Sequence, residues 1–180
     1  MKPLNFLRLA AKRLVPVAIG ASVLAACSNP EIAVRCPAIR LPLGTEQVTR
    51  FAPGAGRDIT DVVLQAEVKF LSGECSVGEE SIDMTFPVAV RGVRGPADTD
   101  GVEQVQVFMA VSTRQREVLA RREIPLTLRF VGNRTSIVTA DSVSVEIPKT
   151  ADQDGEDFIV FLGFVLSEEE LEYNRTEGRY

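Results

Sequence analysis

The chain has 180 residues, 45% of them hydrophobic, with 20 Lys and Arg against 25 Asp and Glu and a net charge of −5. That acidic balance argues against a nucleic-acid partner, while the hydrophobic fraction suffices for a buried core. Histidine is absent, which removes the commonest general base, the Ser-His-Asp and Cys-His arrangements and nearly every catalytic zinc site; no tryptophan and only two tyrosines argue against a sugar-stacking cleft.

Lys2, Arg8, Lys12 and Arg13 make a basic opening with no acidic residue before Glu31, and residues 14–23 follow as a short apolar run interrupted by Pro16 and Gly20. A spanning helix needs about 20 apolar residues, so this run reads as the core of a signal peptide. Leu24-Ala25-Ala26-Cys27 then closes the leader with small residues ahead of a cysteine. That ending resembles the lipobox of bacterial lipoproteins. The resemblance implies cleavage before Cys27, lipidation of Cys27, and, because Ser28 follows rather than an aspartate, placement on the periplasmic leaflet of the outer membrane. One acyl chain holds only reversibly at about 0.8 kcal/mol per buried methylene; the family's cysteine bears several, which makes the anchor permanent. The expected organisation is a signal peptide over residues 1–26, a lipidated N-terminus and tether over 27–43, and a folded domain over 44–180. After cleavage 16 basic residues face 25 acidic ones, a net charge of about −9, which also argues against a polybasic grip on anionic lipid.

Of the three cysteines, the lipobox resemblance assigns Cys27 to lipid. Cys36 and Cys75 are left to pair in an oxidising compartment, with two free thiols as the alternative. Metal binding through two cysteines without histidine is a poorer reading, since zinc usually draws four Cys or His ligands.

Residues 28–43 contain Pro30, Pro37 and Pro42 and show no sustained periodicity, as a tether would. From 62 to 71, Leu64, Ala66, Val68 and Phe70 alternate with Gln65, Glu67 and Lys69, a strand with one wet face. Ile82, Met84, Phe86, Val88 and Val90 repeat the pattern, and Pro87 marks that strand as an edge or a bulge. Val105, Val107, Met109 and Val111 predict another. Leu126, Leu128 and Phe130 predict the next, entered by Pro125, and Gly132-Asn133 signals a two-residue hairpin. The return strand covers 135–147 and breaks near Ala140-Asp141. Residues 158–166, almost wholly apolar, read as a central strand buried on both faces. Ser167 caps a short helix with Glu170 three residues on and Leu166 and Leu171 placed as a staple; the helix should end near Arg175. The pattern predicts an all-β, immunoglobulin-like antiparallel β-sandwich of six to eight strands with a short C-terminal helix, a barrel being the main rival.

Paired carboxylates are the one catalytic option, as in glycoside hydrolysis. The clusters are Asp58 and Asp61, Asp98 and Asp100, and Asp152, Asp154 and Asp157, all in or beside predicted loops, where Asp closes turns. Asp152-Gln153-Asp154-Gly155-Glu156-Asp157 could wrap Ca²⁺. Counted as an EF-hand loop, however, its glycine is misplaced, and Gly163 stands where a bidentate Glu is required. Gly54-Ala55-Gly56 lacks the rest of a dinucleotide loop. Asn133-Arg134-Thr135 and Asn174-Arg175-Thr176 match a glycosylation sequon by chance.

The body resembles a group of bacterial envelope lipoproteins. The likeness rests on a cysteine soon after the lipobox, a second near the end of the first long strand, and the ending Glu169-Glu170-Leu171-Glu172-Tyr173-Asn174-Arg175. No activity comes with it. The expectation is therefore a lipid-anchored, non-enzymatic interaction or structural module with another envelope protein as partner and no catalytic residue, metal or cofactor; the alternative is an envelope hydrolase using two carboxylates.

Overall fold

The computed structural model describes residues 35–54 and 56–177, so the leader and Cys27 lie outside the described residues. In chain order the strands are β1 (Ala38–Arg40), β2 (Gln47–Phe51), β3 (Val62–Phe70), β4 (Glu74–Val77) and β5 (Ser81–Arg94). They are followed by β6 (Val102–Thr113), β7 (Val118–Arg129), β8 (Ser136–Pro148), β9 (Phe158–Phe164) and the helix α1 (Glu168–Glu177). One sheet has the order β1-β9-β6-β7; in the other, β2, β3 and β5 run side by side, β4 continues the β3 edge of β5, and β8 pairs with the opposite edge of β5. This is a generic two-sheet sandwich of nine strands, against the six to eight expected, and nothing in its strand order singles out the immunoglobulin arrangement. The additional strands, β1, β2 and β4, span only three to five residues, too few to register as a period. β1 also lies within the stretch expected as tether, and it pairs in parallel with β9.

The alternation seen in the sequence becomes the core. Leu64, Ala66 and Val68 of β3, Ile82 through Val90 on the even positions of β5, and Val105, Val107, Met109 and Val111 of β6 are all buried between the sheets. Phe158, Val160, Leu162 and Phe164 of β9 complete the opposing wall. Each such side chain contributes about 1.5–3 kcal/mol by leaving water, which is why these strands were the legible ones.

Pro87 does not mark an edge. β5 is central, and its register with β8 runs unbroken from Ser81 to Val93. The Pro87 carbonyl accepts from Leu71 N at 3.1 Å, so its nitrogen faces the same edge, where the pairing of β4 ends at Thr85 and that of β3 begins at Val88. The missing donor falls at that junction. β8 likewise runs without the expected break; Ala140 faces away from the opposing sheet, and Asp141, on the inward face, is exposed as well. The Gly132-Asn133 turn forms, with Gly132 at φ 63°, but it closes no hairpin: β7 and β8 belong to different sheets. Leu128 and Phe130, buried beside Gly92, carry the chain across. β7 itself begins seven residues before Pro125, over residues 118–123 that are exposed on both faces.

Cys36, just ahead of β1 in one sheet, is bonded to Cys75 of β4 in the other, with Cα atoms 5.9 Å apart. The bridge therefore staples the two layers near the chain entry. Closing a loop of 39 residues should contribute on the order of 4 kcal/mol through the unfolded state. Urea unfolding of Cys36→Ala/Cys75→Ala against the oxidised wild type should show a loss of that order; equal midpoints would refute the assignment.

Candidate functional site

The carboxylates that offered chemistry are placed where backbone needs them. Asp58 and Asp61 bracket a 3₁₀ turn that leads into β3, with Asp58 N donating to Asp61 Oδ2 at 3.2 Å. Asp154 and Asp157 repeat the device ahead of β9: Asp154 N donates to Asp157 Oδ2 at 2.9 Å, and Glu156 N to Asp154 Oδ1 at 2.7 Å. The suspected calcium loop is thus a capped turn seated against the Arg35 backbone, with Glu156 paired to Arg35 at 3.0 Å.

Asp98, Asp100 and Glu103 do converge, one oxygen of each lying within 4.8 Å of the others. Asp98 has both oxygens engaged, Asp100 one, and Glu103 faces an arginine. Asp98, its side chain 2% exposed, takes Arg94 Nε at 2.6 Å on one oxygen and the N–H groups of Gly101 and Asp100 on the other. Asp100 Oδ1 accepts from Val102 N at 2.9 Å, and Glu103 lies 3.7 Å from Arg50 Nη1. Burial pushes the Asp98 carboxyl up, but the Gly101 and Asp100 amides and the Arg94 guanidinium pull it below its ordinary 3.8. Glu103 is held above its ordinary 4.5 by burial, with Arg50 opposing and Asp98 and Asp100 adding repulsion. The signs differ. Asp98 contributes stability that is present above its unfolded value and lost as pH falls through its lower folded value. Glu103 favours the fold below 4.5, and that contribution is lost as pH rises through its raised value. Asp98→Asn should therefore flatten the loss of melting temperature below about pH 4, and an unchanged acid limb would refute this account.

A cleft of about 320 Å³ lies between α1 and the end of β2, lined by Arg50, Phe51, Arg57, Glu169, Glu170 and Tyr173 among others. Its charged groups pair with one another. Glu170 closes the helix cap through Oε2, which accepts Ser167 N at 2.7 Å, while its Oε1 accepts Arg50 Nε at 2.9 Å. Arg50 Nη1 also donates to the Gln104 carbonyl of β6. Arg57 donates to Glu169 at 2.8 Å, and its guanidinium lies 5.7 Å from the Tyr173 ring centroid. Tyr173 meets Phe51 edge-on at 5.1 Å. Asn174, 1% exposed, donates both Nδ2 hydrogens, to the Gly44 carbonyl at 2.7 Å and the Gln47 carbonyl at 2.8 Å. Its sequon is therefore unavailable to glycan.

The C-terminal motif is thus a clasp. Glu169, Glu170, Tyr173 and Asn174 all fix α1 to the sandwich, and α1 reaches Glu177, two residues past the expected end. Sequence reasoning found the Ser167–Glu170 cap but not the partners of Glu170 and Asn174, which are more than a hundred residues away and carry no local signal. Asn174→Ala would leave two carbonyls without their donor and should cost about 2–3 kcal/mol. Calorimetry should show that loss; an unchanged melting temperature would mean the clasp contributes nothing.

The sheet edges differ from each other. Val165 N donates to the Gln106 carbonyl at 2.8 Å, so Gln106 bonds away from β7, and Pro125, its partner in β7, directs its nitrogen to the free edge. Arg121 and Glu123 flank it as an ion pair at 3.1 Å. Proline and charge blunt β7. β8 carries neither at its first half.

No protein-family model matches the chain, and no curated protein does. Among solved structures, the variable domain of the AgI/II polypeptide BspA from Streptococcus agalactiae is similar over 71% of this chain and 76% of that chain, at 10% identity and a TM-score of 0.20. A likeness of that size carries no argument about fold or function.

Proposed function

We propose that the protein is a lipid-anchored, non-enzymatic interaction module of the bacterial envelope. The leader, residues 1–26, is removed, Cys27 carries the lipid, and the residues up to Cys36 join that anchor to the sandwich. The domain stands on the periplasmic leaflet of the outer membrane and binds another envelope protein. The lipobox resemblance supports the anchor. The observation that carries binding rather than turnover is the fate of the carboxylates. With no histidine in the chain, they are the acid–base groups that cluster, and members of each cluster hold turns or pair with arginine.

Two measurements test this reading. Cys27→Ser should remain uncleaved by the lipoprotein peptidase and unlabelled by fatty acid, and an acylated mature form of that variant would sink the anchor. Asp154→Asn with Asp157→Asn keeps an acceptor oxygen at each cap, so the double variant should fold, export and complement a deletion strain like the wild type. Calcium should leave the wild-type melting temperature unchanged, because a ligand that binds only the native state must raise it. A calcium-dependent rise that vanishes in the double variant would make the loop a metal site.

A further inference from the structure

β8 pairs over thirteen residues with β5 on one side and with no strand on the other among the described residues. The phase of that ladder is fixed at both ends: Arg94 N donates to the Thr135 carbonyl at 2.8 Å and Lys149 N to the Glu80 carbonyl at 2.9 Å. Odd-numbered residues of β8 therefore bond β5. The N–H and C=O groups of Ser136, Val138, Ala140, Ser142 and Ser144 leave on the open edge. Asp141 Oδ1 accepts Ser142 N at 2.8 Å and closes the edge there. What remains is a ladder from Ser136 to Ala140, long enough for a five-residue strand, about the mean strand length. Its outward side chains are small or apolar and exposed, Val138 at 66%. No proline or charged side chain of β8 interrupts it, unlike the edge of β7.

The same stretch borders a groove of about 450 Å³ into which Thr127, Arg129, Arg134, Ser136 and Val138 all project surface. Neither Arg129 nor Arg134 makes an ion pair among the described residues. Backbone groups open to pairing thus lie beside two cations that lack a counter-charge, on a chain otherwise acidic. A neutral or basic strand would leave those cations uncompensated; an acidic one would neutralise them while pairing with the edge.

We propose that the edge of β8 from Ser136 to Ala140 is a strand-addition site for an extended acidic segment of a partner protein. Main-chain bonds to Ser136, Val138 and Ala140 supply the pairing, and Arg129 and Arg134 select carboxylates. This rests on the reading of the protein as an interaction module and names the chemistry of its partner.

The test uses the full-length lipidated protein in detergent and two capped peptides of about eight residues, one alternating valine with glutamate and the other valine with lysine. The glutamate peptide should bind at least about tenfold tighter than the lysine peptide, and added salt should narrow the gap. Val138→Pro removes an edge-facing N–H and leaves the bonds to β5 in place, so a folded variant should lose binding. Should that variant unfold, Arg129→Glu with Arg134→Glu answers alone, since both side chains are exposed and the exchange should reverse the preference between the peptides. Equal binding of the two peptides, no binding of either, or a folded Val138→Pro that binds like the wild type would overturn the proposal. If the wild type and Val138→Pro capture the same envelope partner equally well, the edge proposal falls and the module reading stands. Turnover of an envelope substrate by the wild type would instead overturn the module reading.

Discussion

Burial of one face of β5 against one face of β6 is the constraint on which the rest of the molecule depends. Ile82, Met84, Phe86, Val88 and Val90 meet the wall made by Val105, Val107, Met109 and Val111, and none of these nine side chains is more than 5% exposed. Each contributes about 1.5–3 kcal/mol, against about 1 kcal/mol for a neutral hydrogen bond and less for an exposed ion pair such as Arg57 with Glu169. Every other device works at the rim of that contact. The Cys36–Cys75 bridge fixes one side, the Asp-x-x-Asp turns set the entry of β3 and β9, and α1 is clasped at the end of β2. Losing a rim device loosens one region, whereas losing Phe86 would open the whole interface.

The core also explains the unequal edges. A sandwich of two open sheets must end in edge strands, and the final strands here, β7 and β8, follow one another directly in the chain but belong to opposite sheets. β7 is protected by Pro125 and by the Arg121–Glu123 pair. β8 has one inward-facing charge, Asp141, and an uncharged first half. Edge pairing is a hazard that folded proteins suppress when it has no use. The asymmetry therefore bears on function: the two edges face the same hazard, and it is the first half of β8 that is left open.

The legibility of the sequence follows the same physics. Alternation in β3, β5 and β6 was readable because one face is buried and the other wet. The first half of β7 left no period because both of its faces are exposed, and β1, β2 and β4 are too short to show one. The Gly132-Asn133 turn was visible as local chemistry, but a turn specifies a bend and not the sheet that receives the next strand. At the candidate sites, the pairing of Cys36 with Cys75 was visible by counting, and the aspartates read correctly as turn residues. The openness of the β8 edge was not visible at all, because being an edge is a property of topology rather than of composition.

The clasp on α1 shows how a motif can be prominent in sequence without being a site of chemistry. Glu169, Glu170, Tyr173 and Asn174 cluster within six residues, with two arginines and an aromatic ring opposite them, an inventory that suggests a binding cleft. Their geometry assigns each group a partner inside the molecule: Arg57, Arg50, Phe51 and the carbonyls of Gly44 and Gln47. A charged ligand entering that cleft would have to compete with the Arg50–Glu170 and Arg57–Glu169 pairs already made. The open edge of β8 carries no such competition, since its backbone groups face water and its neighbouring arginines lack counter-charges. Recognition is favoured where polar groups are unpaired in the free protein, and by that criterion the α1 cleft belongs to folding and the β8 edge to binding.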